Sequence, residues 1–265
     1  MKRILKIKIL LLSALVLASM LLLSPFAWTQ NIAPFNEAIQ KNPNNAIAYY
    51  NRGIFYFNKQ DFNKAIEDFT QAIKFNLDFP EAYYNRGNAY SELTNYDKAI
   101  ADYNQAIHLK PNVSEMYYNR GNAYDKKNDY DKAIEDFTQA ILLNPYFSEA
   151  YYNRGNAYDN KNNYNKAIED FTQAILLNPN YLDAYNNRGN AHSRQSNYVK
   201  AIEDYTQAMR LNPNDATIYN NRGIVYFNNK DYDKAIGDFE AAIKIDPNDT
   251  ISKDNLEKAK KMQGR

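Results

Sequence analysis

The sequence contains no cysteine. Disulfides, thiolate nucleophiles and cysteine-linked lipid anchors are therefore excluded. Histidine is scarce as well, with two residues, so the usual Cys/His zinc sets cannot be assembled. Neither sign of charge is in excess: 32 Lys and Arg stand against 31 Asp and Glu, a formal net charge of +1. No broad field draws in nucleic acid or an acidic membrane surface. Glycine is sparse, with eight in 265 residues, and no Gly-rich phosphate loop occurs. What the chain does have is bulk, with 24 Tyr and 13 Phe to fill a core.

The first 30 residues differ from the rest. Lys2, Arg3, Lys6 and Lys8 precede an uncharged run from Ile9 to Leu23, followed by Ser24, Pro25, Phe26 and Ala27. A basic start, an apolar run and then small residues make the signal-peptide pattern. The run is short for a spanning helix, which needs about 20 residues. Pro25 fits poorly before a cleavage site after Ala27, so residues 1–27 read as a signal peptide or an uncleaved N-terminal membrane anchor. Either way the remainder is expected to be exported, to the periplasm, the cell exterior or the membrane surface.

Beyond that segment one pattern dominates. Asn-Arg-Gly ends at Gly53, Gly87, Gly121, Gly155, Gly189 and Gly223, at a constant interval of 34 residues. The period divides the chain into repeats 46–79, 80–113, 114–147, 148–181, 182–215 and 216–249. Each carries two helical patterns. In the third they run over about 114–127 and 131–143, with Asp129 between them as an N-cap. Asp61, Asn95, Asn163, Asn197 and Asp231 hold the same place. Pro111, Pro145, Pro179, Pro213 and Pro247 stop the second helices, while the first repeat has Leu77 instead.

The residues Tyr117, Gly121, Tyr124, Ala133, Phe137, Ala140 and Pro145, repeated six times over 46–249, resemble the tetratricopeptide repeat. Two departures are Tyr for Trp at the first aromatic and Arg120 where Leu is common. Phe35, Ala38 and Pro43 match a second helix, which makes 28–45 an N-terminal half-repeat. Residues 250–265 look like a polar, Lys-rich capping helix. The expected fold is therefore all-α, an α-solenoid of helix-turn-helix repeats. The resemblance implies a right-handed superhelix whose first helices line a concave wall. Gly121 is expected to face the small Ala133 and Ala140 and permit close helix approach.

At about 100° per residue, Glu115, Tyr118, Asn119, Asn122, Asp125 and Lys126 share the face opposite Tyr117, Gly121 and Tyr124. In the resembled family that stripe binds ligands. Across the repeats the candidate peptide-binding residues are Tyr50, Asn51, Tyr84, Asn85, Asn88, Glu115, Tyr118, Asn119, Asn122, Asp125, Tyr152, Asn153, Asn156, Asp159, Asn187 and Asn190. Asparagine is a poor helix former, so its recurrence needs a reason. An amide can donate to and accept from a peptide backbone, and tyrosine gives rigid amphipathic contact. Alternatively, the asparagines two before each glycine bond neighbouring helices and set the stacking. The basic clamp for a terminal carboxylate known in the family is missing, because Tyr118, Glu115 and Asn119 hold its places. A neutral or basic extended peptide suits this acidic stripe better.

Arg120 and its equivalents lie toward the packed side and need a partner. Asp68, Asp102, Asp136, Asp170, Asp204 and Asp238 recur in step, so an Arg–Asp pair with Arg also stacked on Tyr is expected. His192 stands where other repeats have Tyr and reads as a packing residue, and His108 as a surface one. No catalytic neighbour set is evident, and no cofactor is called for. The expected function is a non-catalytic scaffold for protein or peptide partners, without nucleic acid. The alternative is a structural part of an envelope or membrane complex, acting through its convex face or ends.

Overall fold

The computed structural model describes residues 31–264. The signal peptide or anchor expected over 1–27 lies outside the described residues. Among those residues every regular element is a helix. The contacts divide the chain into two compact units, one up to Pro111 and one from Asn112. The first holds α1 (Ala33–Lys41), α2 (Ala46–Asn58), α3 (Phe62–Phe75), α4 (Pro80–Glu92) and α5 (Tyr96–Leu109). The second holds α6 (Ser114–Lys126), α7 (Tyr130–Leu143), α8 (Ser148–Asn160), α9 (Tyr164–Leu177), α10 (Leu182–Arg194), α11 (Tyr198–Leu211), α12 (Ala216–Asn228), α13 (Tyr232–Ile245) and α14 (Thr250–Gln263). Within each unit the first helix of a repeat packs on its own second helix and on the second helix of the repeat before it. This is the all-α solenoid of helix-turn-helix repeats.

Second helices owe their buried face to residues spaced 0, 3, 4 and 7. In α7 these are Ala133, Asp136, Phe137 and Ala140, all buried. The helix stops because Asn144, ahead of Pro145, is held extended at φ −135° and ψ 91°. The Asn144 side chain then accepts from the Tyr146 N–H at 3.1 Å, closing the turn. At the other end Asp129 caps α7 loosely, at 3.5 Å from the Lys132 N–H, while the Lys132 ammonium sits 2.7 Å from its second oxygen. Asn197 departs from expectation and makes no side-chain cap bond.

The turn inside each repeat bends through a left-handed residue that is never glycine. Gln60, Thr94, Asn128, Asn162, Ser196 and Lys230 all have φ between 57° and 64°. After α2 the Asp61 N–H donates to Tyr56 O and the Gln60 N–H to Phe57 O, both at 2.9 Å. That pair of bonds is the Schellman closure.

The structure adds the aromatic ring to the expected role of the recurring glycine. A Cβ on Gly121 would lie 2.8 Å from the Phe137 ring, and one on Gly155 would lie 2.7 Å from the Phe171 ring. The glycine thus seats first of all the aromatic ring of its own second helix, and at Gly87 the backbone of Ala99, the equivalent of Ala133, lies 3.3 Å from the same point. The second-helix alanines also serve the next repeat. Ala167 and Phe171 pack with Ala191, and Ala174 with Ala184, all without exposure. Alanine on alanine lets the next first helix approach closely.

Gly237 gives an internal contrast, since a Cβ there meets nothing within 4 Å. Gly155→Leu should cost about 1–3 kcal/mol through overpacking. Gly237→Ala should add about 0.5–1 kcal/mol through helix propensity. Urea denaturation of the two variants checks both signs.

Candidate functional site

The site starts from the arginine that precedes each glycine. It makes a two-point bond to the aspartate in the buried stripe of its own second helix. Arg154 donates through Nε to Asp170 Oδ2 at 2.8 Å and through Nη2 to Oδ1 at 2.7 Å. Arg52–Asp68, Arg86–Asp102, Arg120–Asp136, Arg188–Asp204 and Arg222–Asp238 do the same at 2.6–3.0 Å. Each guanidinium also lies over a tyrosine ring of its own helix, as Arg154 does over Tyr151 at 5.6 Å. The expected pair is present in every repeat, and it lies within the repeat.

A third bond was not foreseen from the sequence. The remaining Arg154 nitrogen donates to Thr138 Oγ1 of the previous repeat at 3.0 Å, and Thr138 donates in turn to Ile134 O. Thr70, Thr172 and Thr206 serve Arg86, Arg188 and Arg222 likewise, and Asn36 serves Arg52. The signal was available, because Thr138, Thr172 and Thr206 recur at the same 34-residue interval and Thr70 lies two intervals before Thr138. Burial raises the carboxyls of Asp136 and Asp170 above the ordinary range, and their arginines pull them back only in part.

On the other face of the first helices lie the candidate binding residues. Asn153 Nδ2 donates to Tyr118 Oη at 3.0 Å and to Asn122 Oδ1 at 2.8 Å. Asn187 repeats this with Tyr152 at 3.0 Å and Asn156 at 2.9 Å. In the first unit Asn85 donates to Tyr50 at 2.9 Å, and Tyr103 donates to Asn88 at 2.8 Å. Tyr205 donates to Asn190 at 2.7 Å. Asn51 and Asn119 are each half-buried on their own first helix. Of the two uses open to the asparagines two before glycine, the structure displays the inter-repeat one.

The tyrosines are less available than the helical wheel implied. Tyr118 packs on Phe137 and Phe147, with ring centroids 5.9 and 4.7 Å away. Tyr50 packs on Phe69 and Phe79, and Tyr84 on Tyr103. The Tyr50, Tyr118 and Tyr152 hydroxyls each accept from an asparagine of the next repeat. Glu115 is exposed, bonded only to the adjacent Ser114 hydroxyl among its described contacts. Asp159 is paired with Arg194. Asp125 is half-buried, and its Oδ1 has no hydrogen-bond partner. Toward the end of the second unit Ile224, Phe227, Phe239, Asn228, Asn255 and Lys258 line a recess of about 260 Å³. Among the described residues no group of three His, Asp or Glu could hold a metal ion.

Models of the tetratricopeptide repeat match residues 80–113, 114–147, 148–181, 182–215 and 216–249, and related repeat models match 35–67 and 55–93. The chain belongs to the tetratricopeptide-repeat family. No curated protein matches it. Among solved structures it resembles YrrB, described as a TPR protein with an unusual peptide-binding site, at 24% identity and TM-score 0.65. That match covers 72% of this chain and 99% of the other. A TPR-containing fragment from Cytophaga hutchinsonii matches at 20% identity and TM-score 0.72, over 86% and 94% of the two chains. The APC/C hetero-tetramer Cut9-Hcn1 matches at 22% identity and TM-score 0.63 over 87% of this chain. The tetratricopeptide array spans only 46% of that longer chain.

One repeat breaks the pattern at a titratable group. His192 stands where Tyr158 and Tyr226 lie under Lys166 and Lys234, and its Nδ1 is buried without a partner. Burial lowers its basicity, as do Lys200 and Arg188, against Asp204 and Glu203. A base whose folded pKa is depressed leaves the unfolded chain to bind the proton first. Stability is therefore level above the ordinary histidine range and falls as pH drops through the depressed value. Between pH 7.5 and 5 the Tm of the parent should fall further than that of His192→Tyr; parallel declines in thermal melts would refute this.

Proposed function

We propose that the chain is a non-catalytic protein-interaction scaffold that holds an extended peptide or partner helix against the wall formed by its first helices. The observation that carries this reading is the bonded lattice Asn153–Tyr118–Asn122 and Asn187–Tyr152–Asn156. It fixes neighbouring first helices at one spacing, so that the exposed Glu115, Glu149 and Asp183 stand at a regular interval. A wall already held in one geometry loses little entropy when it binds. Family membership and the peptide-binding description of YrrB support the reading. We also propose export or membrane tethering, on the sequence of residues 1–27. Among the described residues no helix is long and apolar enough to cross a membrane.

A second reading has its own support. Leu142 and Leu176, at equivalent places on α7 and α9, are 72% and 71% exposed, and Tyr146 is 81% exposed. These apolar groups suit a structural contact within an envelope complex through the second helices. Charge reversal at exposed wall positions separates the two, because it disturbs no packing. Affinity capture from source cells should lose the partner about tenfold or more with Glu115→Lys, Glu149→Lys and Asp183→Lys combined. It should keep the partner with Leu142→Asp and Leu176→Asp combined. The reverse outcome would transfer the function to the second-helix face.

A further inference from the structure

Asp125 and Asp159 occupy the same place on successive first helices, α6 and α8, but only Asp159 is bonded to a cation. Asp159 is covered by Arg194, the last residue of the next first helix. The same guanidinium lies over the Tyr164 ring, 5.6 Å from its centroid. The array therefore contains its own demonstration of what fits this place. A planar cation bridges a first-helix carboxylate and the ring that begins the following second helix.

One repeat earlier that bridge is missing its middle member. The carboxylate is Asp125 and the ring is Tyr130, but the position equivalent to Arg194 is Asn160. The Asp125 Oδ1 is buried and accepts no hydrogen bond. Burial raises this carboxyl above the ordinary range, and the nearby charge of Lys126 offsets that only in part. A half-buried carboxylate without a donor is costly to keep, and a charge-assisted partner would relieve it. Asp159 is also incompletely matched, since its Oδ1 has no partner beside the Arg194 bond to Oδ2. The stripe thus offers acceptors in excess of donors, in a region where exposed Glu115 and Glu149 add negative potential.

We propose that Asp125 is the specificity anchor of the wall and takes an arginine or lysine side chain of the bound peptide, which sits against Tyr130 as Arg194 sits against Tyr164. This rests on the peptide-binding reading of the first-helix wall and adds the class of side chain it selects. A guanidinium suits the place best, because it can bond the carboxylate in plane and stack on the ring at once.

The probe is a displayed library of short random peptides, panned on the immobilised full chain in mild detergent. The parent should enrich arginine or lysine at one fixed position. Peptides so selected should bind Asp125→Asn about tenfold or more weakly. Changing their basic residue to glutamine should weaken binding to the parent equally and add nothing with Asp125→Asn. Asn160→Arg supplies the missing cation from within, so it should weaken the same peptides while raising the Tm. Because these two variants change the site in opposite senses, misfolding of one cannot imitate the pattern. Peptides without a basic preference, or bound equally by Asp125→Asn, would overturn the anchor and leave the wall as the binding face. No retained peptide, or retention unaffected by the combined Glu115→Lys, Glu149→Lys and Asp183→Lys change, would overturn both.

Discussion

A guanidinium half-buried between two helices needs its donors met, and the recurring polar contacts of each repeat meet that need. Arg154 spends two donors on Asp170, one on Thr138 of the preceding repeat, and its flat face on Tyr151. One side chain thereby joins three helices. The aspartate can meet it because it stands in the apolar 0, 3, 4, 7 stripe of the second helix, a place normally held by an oily residue. Burial works against the charge there, because all six aspartates are almost wholly removed from solvent. The pair is therefore a device for geometry before it is a source of stability. It permits one rotation of the first helix on the second and one placement on the repeat before.

The polar wall depends on that placement. Asn153 reaches both Tyr118 and Asn122 only if neighbouring first helices keep one offset and one separation. The glycine contact sets the distance within a repeat, where the Phe171 ring lies on Gly155. Alanine on alanine sets it between repeats, through Ala174 and Ala184. With the spacing held this regularly, function is left to the places where the repeats differ. Arg194 covers Asp159, whereas Asn160 at the equivalent place leaves the Asp125 Oδ1 without a partner. His192 in place of a tyrosine brings a titratable group under Lys200. Ile224 and Phe227, where inner repeats carry Asn122 and Asp125, turn the end of the wall apolar.

Much of this was legible in the sequence. Periodicity delivers the helices, their order and the repeat boundaries. The Arg–Asp pair follows from two opposite charges recurring in step, one of them on an apolar stripe. Three features were not read, each for a physical reason. The left-handed turn residues escaped because Gln60, Thr94 and Ser196 carry no glycine signal for that conformation. The threonine bond escaped because it joins successive repeats, and a helical wheel shows one helix at a time. The same limit hid the neighbour of Tyr118, whose ring packs on Phe147 at the threshold of the next repeat. Wheels assign faces, and stacking decides which faces stay exposed.

The central claim is that the Arg–Asp pair specifies geometry and supplies little net stability. A double-mutant cycle on Arg154 and Asp170, followed by urea denaturation, tests it most directly. Arg154→Met should cost about 3 kcal/mol, because it leaves the buried Asp170 carboxylate unpaired, and Asp170→Leu should cost less, because the half-buried Arg154 keeps its bond to Thr138. The double variant should lie within about 1 kcal/mol of the parent, having removed both charges together. Single losses that simply add in the double variant would contradict the account.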